Sequence, residues 1–103
     1  SSCGIVMLKG GSVEQVKYAI KNMVGNITGM VCDGAKVGCA LKVASGVSSS
    51  VQSAILALEN ICISSNDGII DEDVEKTIKN LGTIGSKGMQ STDNMILDIM
   101  VCK

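Results

Sequence analysis

Two cysteines, Cys32 and Cys39, stand with six residues between them in the stretch MVCDGAKVGCALK, residues 30–42. Thiolates are soft ligands, suited to zinc or to iron–sulfur clusters. A free cysteine is also among the most buried residue types and packs as a small hydrophobe. Geometry narrows the choice. In an unbroken helix, residues seven apart share a face but lie about 10.5 Å apart along the axis. Two thiolates on one tetrahedral ion, with metal–sulfur bonds of about 2.3 Å, are only about 4 Å apart. A continuous helix through both positions therefore cannot clamp one ion. A larger inorganic cluster fits if the backbone bends, and Gly34 and Gly38 are the positions where a bend is tolerated. Lys36 between them would offset negative charge, or stand exposed. Three more cysteines, Cys3, Cys62 and Cys102, make an odd total with no framework spacing. Packing is the expectation for Cys62, and a frayed terminal position the expectation for Cys102. An odd thiol count without a secretory signal points to a reducing, cytoplasmic setting.

The absent residue types exclude whole classes of function. The 103 residues contain no histidine, so Ser–His and Cys–His catalysis and histidine-ligated metals are excluded within this chain. All nine basic residues are lysines, so there is no guanidinium for bidentate carboxylate or phosphate recognition. With no Trp or Phe and only Tyr18, base stacking is excluded as a binding mode, and the formal net charge of −1 predicts neither a nucleic-acid nor a membrane partner. The longest uncharged run, Val43–Leu58, has 16 residues with five serines and falls short of a membrane span.

The elements that must position these thiols read as helices. Gly10-Gly11 ends a short apolar stretch, and Ser12 with Gln15 forms a capping box at the next start. Val13, Val16, Ile20, Met23 and Val24 then share a face, with Gly25-Asn26 as the stop. Residues 29–47 read as a second helix. The serine run 48–50 opens a third, with Val51, Ala54, Ile55, Leu58 and Ile61 on one face. Residues 64–68 form a turn, with a local β-hairpin as its rival because Asp-Gly favours hairpins. Asp71 caps a helix with Val74, Ile78 and Leu81 inward, loosened by Gly82, Gly85 and Gly88. Ser91 or Thr92 opens the last helix, with Met95, Ile96, Ile99 and Met100 inward. The expected fold is all-α, a compact bundle of about five short helices.

Two patterns fail on inspection. With Gly68 at position six of a calcium loop, positions one and twelve fall on Ile63 and Val74, so the bidentate carboxylate is missing. Gly34 and Gly38 form a G-x-x-x-G, but Asp33, Lys36 and Lys42 are interleaved, which argues against membrane helix pairing.

The stretch GNITGMVCDGAKVGCALKVASGV, followed by NDGIIDEDVEKTIKNLGTIGSKGMQSTDNMILDIM, resembles the C-terminal part of the L-cysteine desulfidase family. It is also similar, more distantly, to the α chain of iron–sulfur L-serine dehydratase. Its most specific pieces are GMVCDGAK with Cys39 following, NDGI before the acidic helix start, and GMQSTDNMILDIM. The resemblance implies that residues 1–103 are the C-terminal portion of a larger helical catalytic domain. It implies a pyridoxal-independent lyase carrying a [4Fe–4S] cluster, which removes sulfide and ammonia from cysteine, or ammonia from serine, to leave pyruvate. Cys32 and Cys39 match the last two of three cluster ligands. The first ligand and the catalytic base lie further upstream than Cys3, before Ser1, so no catalytic residue is assigned within this chain. The chain alone is expected to be inactive and to lack the cluster. Its expected partners are the missing N-terminal part of the same chain, an amino-acid substrate and, in isolation, further copies of itself as a homo-oligomer. A tail thiolate at Cys102 capping the open iron is a further idea from the related dehydratases. The alternative is a non-catalytic helical binding or subunit-interface module whose cysteines only pack.

Overall fold

A computed structural model describes residues 1–31 and 36–103. Cys32 and Gly34 lie outside the described residues, and so does the side chain of Lys36. The described residues form five α-helices: α1 (Ser2–Leu8), α2 (Val13–Ile27), α3 (Lys36–Leu58), α4 (Val74–Thr83) and α5 (Gln90–Val101). A π-helical turn, Ile84–Gly88, joins α4 to α5. No strand occurs among the described residues, so the hairpin alternative at the Asp-Gly turn is not realised.

The N-terminal apolar stretch is itself helical. α1 stops where Gly10 takes a φ of +78° and the Gly11 N–H donates to the Val6 carbonyl at 2.8 Å. A Cβ on Gly11 would collide with the side chain and carbonyl of Val6, which is fully buried. Gly11→Ala is therefore expected to destabilise the fold by about 1–3 kcal/mol, read as a fall in thermal midpoint. α2 starts on the expected capping box. The Ser12 hydroxyl accepts from the Gln15 N–H at 3.2 Å, and the Gln15 side-chain oxygen accepts from the Ser12 N–H at 2.9 Å. The amide of Gln15 also donates to the Leu58 carbonyl and to the Asn60 side chain, tying the start of α2 to the end of α3. α2 runs past the predicted Gly25-Asn26 stop to Ile27, because the left-handed backbone that ends it falls at Gly29, with φ +98°.

α3 corrects the expectation of a break at the serine run. It is one helix of 23 residues. Ser50 and Ser53 are buried in its middle, beside Ala54 and Ala57. Small side chains let α1 and α2 approach its backbone closely, and the Ser2 hydroxyl donates to the Ser50 carbonyl at 2.9 Å. Val6, Ala19, Ala54 and Ala57 form the core, with Ile5, Val16, Tyr18 and Leu58 packed around it. Val51 and Ile55, expected inward, lie outward, and Ile61 lies beyond the helix and is exposed. α3 ends on a Schellman motif with Asn60 in the left-handed region, φ 60°, and the Ile61 N–H on the Leu56 carbonyl at 2.8 Å.

Because α3 is continuous, Val37–Leu58 is long and apolar enough, by length and composition, to cross a membrane. Burial of Ser50, Ser53, Ala54 and Ala57 against α1 and α2 makes its C-terminal half the central helix of a packed layer instead.

The segment after α3 is held by side chains. Asn22 of α2 is 2% exposed. Its amide donates to the Ile61 carbonyl at 3.0 Å and its oxygen accepts from the Ile63 N–H at 3.0 Å. Asp73, rather than Asp71, caps α4 by accepting from the Glu75 N–H at 3.0 Å. Asp71 accepts from the Asp73 N–H and so shapes the turn before it. These carboxylates are engaged in turn and cap bonds, which explains their calcium-loop spacing without an ion. α4 packs on α2, while α5 touches only the π-helical turn among the helical elements. The predicted inward face of α5 is mostly uncovered: Met95 is 64% exposed, Ile99 and Met100 are likewise exposed, and Ile96 is half-buried. Periodicity placed these residues on one helix, but no described element lies over Met95, Ile99 and Met100. The shape is accordingly long, 50 × 27 × 16 Å.

Candidate functional site

No disulfide joins the four described cysteines, which are spread over different elements. Cys3 lies half-buried in α1, its Sγ 4.0 Å from the Val16 carbonyl oxygen. Cys62 follows α3, its Sγ 3.4 Å from the Ile63 carbonyl oxygen. Burial pushes the Cys62 thiol up, with the nearby Lys21 charge opposing, so at neutral pH it stays protonated and packs. Cys102 is exposed at the end of α5. Cys39 is half-buried in α3, three residues beyond Lys36 where the described part of that helix begins. Gly38 is helical, so the bend expected at Gly34 or Gly38 is absent at Gly38. Gly34, like Cys32, lies outside the described residues.

Among the described residues no three histidine, cysteine or acidic side chains gather in a metal-binding group. The donor set in this chain thus suits an iron–sulfur cluster in kind, through thiols, but not in number.

The backbone that leads to Cys32 borders a groove of about 350 Å³. Thr28, Met30 and Val31 form one wall, and Ile84, Met89 and Asp93 form the other. Thr28 is shared with an adjoining hollow of about 290 Å³ that Asp67, Gly68 and Ile69 also line. The three motif pieces quoted above, around residues 29–31, 66–69 and 88–93, thus lie around one corner of the molecule. Sequence reasoning singled out the cysteines but not Thr28, Ile84 or Asp93. The one signal was the glycine spacing 82, 85 and 88, which accompanies the π-helical turn. Such turns occur frequently at functional sites.

The described residues form an all-α domain with a groove at one corner. The chain belongs to the serine dehydratase alpha chain family, whose model matches residues 1–98. It is 59% identical over 103 residues to a UPF0597 protein of Bacteroides fragilis. It is 56% identical over 103 residues to one of Porphyromonas gingivalis. A UPF0597 protein of Clostridium tetani is 52% identical over 101 residues, 98% of this chain. The chain spans about a quarter of the length of these curated relatives, 24% in each case. No solved structure matches.

Proposed function

We propose that this chain is the C-terminal, cluster-bearing quarter of a pyridoxal-independent iron–sulfur lyase that acts on L-cysteine, with L-serine as the alternative substrate, in the cytoplasm. The observation that carries the reading is the match to the serine dehydratase alpha chain family over residues 1–98. The motif likeness around Cys32 and Cys39 places L-cysteine first. An open iron position on such a cluster supplies a Lewis acid for the leaving sulfur or hydroxyl. Cys32 and Cys39 hold two irons. The groove between residues 28–31 and the π-helical turn receives the amino acid and keeps water from its apolar walls. Loss of the Cα proton and of HS⁻ leaves aminoacrylate, which water converts to pyruvate and ammonia. The base and the third ligand belong to the remaining three quarters of the full-length chain.

That remainder also covers the exposed apolar residues of α5 and of the first half of α3, Val37, Leu41, Val43 and Val47. Contiguous exposed apolar surface of this kind marks an interaction face. Residues 1–103 alone are accordingly expected to associate with rising concentration, to take up no stoichiometric cluster from iron and sulfide under anaerobic conditions, and to release no pyruvate. Light scattering, iron analysis and pyruvate assay check the three outcomes. The full-length chain, reconstituted in the same way, is expected to release pyruvate and sulfide from L-cysteine. Cluster-replete full-length protein that releases pyruvate from neither L-cysteine nor L-serine would overturn the reading.

A further inference from the structure

Among the described residues, the groove that borders the approach to Cys32 carries a single ionisable side chain, Asp93, which is exposed. Its other walls are apolar or small, including Met30, Val31, Ile84 and Met89. Among the described residues the Asp93 carboxylate has no hydrogen-bond or ion-pair partner; only its backbone N–H is engaged, on the Met89 carbonyl at 2.8 Å. Asp93 sits in the first turn of α5, where a negative charge suits the helix dipole. The dipole is indifferent to which side of the turn carries the charge. Here the carboxylate stands on the side that lines the groove. Gly85, also in the lining, has nothing within 4 Å of where a Cβ would stand, so the space beside it is open to a ligand.

We infer that Asp93 binds the α-ammonium group of the amino-acid substrate. This rests on the lyase reading and deepens it by assigning a specificity residue. A zwitterionic amino acid brings one cation that needs an anion or carbonyl oxygens. Among the described residues Asp93 is the only anion that lines this groove. The site therefore selects α-amino acids over the corresponding acids that lack the amino group.

The test uses the full-length, cluster-replete chain with two ligands, L-cysteine and 3-mercaptopropionate, which is cysteine without its amino group. Asp93→Asn is expected to raise KM for L-cysteine about 10- to 100-fold, the worth of one charged hydrogen bond. Iron content, thermal midpoint and the inhibition constant of 3-mercaptopropionate stay unchanged. Asp93→Glu restores part of the loss. A purely structural role at the start of α5 would shift both ligands alike and would move the thermal midpoint. Equal weakening of both ligands, or an unchanged KM, overturns the inference. If the wild type turns over neither amino acid, calorimetric binding of the same two ligands makes the same comparison. Selective loss of L-cysteine binding in Asp93→Asn then upholds the site while the lyase reading fails. Absence of L-cysteine binding to the wild type overturns the site itself.

Discussion

Cys39→Ser in the full-length chain is expected to abolish cluster assembly and to reduce pyruvate release from L-cysteine by more than the roughly 10- to 100-fold that loss of an outer-shell partner costs. Serine keeps the size of the side chain but replaces a soft thiolate with a hydroxyl that stays protonated at neutral pH. Cys39 is half-buried near the described start of α3, outside the small-residue core of Val6, Ala19, Ala54 and Ala57. Its replacement should therefore leave the thermal midpoint of the cluster-free protein nearly unchanged. Cys62→Ser is the matched control. Cys62 keeps its proton at neutral pH because burial disfavours the thiolate, and it packs beside Ile63. That substitution should cost some stability and spare both iron and turnover. Steady-state pyruvate assays on the two variants separate a ligand from a packing thiol.

Asn22→Ala is the substitution with the largest expected cost in stability. One side chain, 2% exposed, supports the chain as it leaves α3. Its amide donates to the Ile61 carbonyl at 3.0 Å and reaches the Ser53 carbonyl at 3.4 Å, while its oxygen accepts from the Ile63 N–H at 3.0 Å. Alanine removes all three bonds and takes this partner from the part-buried Ile61 carbonyl and Ile63 N–H, each loss costing about 1–3 kcal/mol. A total of about 3 kcal/mol is expected. It reads as a fall in thermal midpoint of about 12–24 °C at 4–8 °C per kcal/mol for a domain of this size. Asn22→Asp keeps the acceptor for Ile63 and loses the donor to Ile61, so it should fall between. The consequence reaches beyond stability. Ile63 and residues 67–69 line the hollow next to Thr28, so loosening this segment should also disturb the groove.

Local chemistry made part of this fold legible. The Ser12–Gln15 capping box depends on residues three apart, and it formed as the spacing indicated. The face of α2 that holds Val16, Ile20, Met23 and Val24 also follows from period, while Val13, expected on it, is exposed. What failed needed knowledge of neighbours. Serines at 48–50 read as a cap because serine favours helix starts. They lie instead within one long helix, where Ser50 is a small buried contact against α1 and Ser48 is exposed. Met95, Ile99 and Met100 share a face as expected, yet none of the described residues covers it. Asp71 and Asp73 are both suitable caps, and the choice between them turns on the fully buried Thr77, whose hydroxyl accepts from the Asp71 N–H at 3.0 Å. The thiol positions were visible as residue types at a spacing. The groove was not, because it joins residues 28–31 to residues 84–93, a contact that no local period encodes.

The most direct test is iron and acid-labile sulfide per chain in the anaerobically isolated full-length protein and its Cys32→Ser, Cys39→Ser and Cys62→Ser variants. Both elements should be present at about four per chain, the content of a [4Fe–4S] centre, in the unmodified and Cys62→Ser proteins. Both should be lost from the other two. Full iron and sulfide in Cys32→Ser and Cys39→Ser would show that these thiols only pack, and would contradict the account.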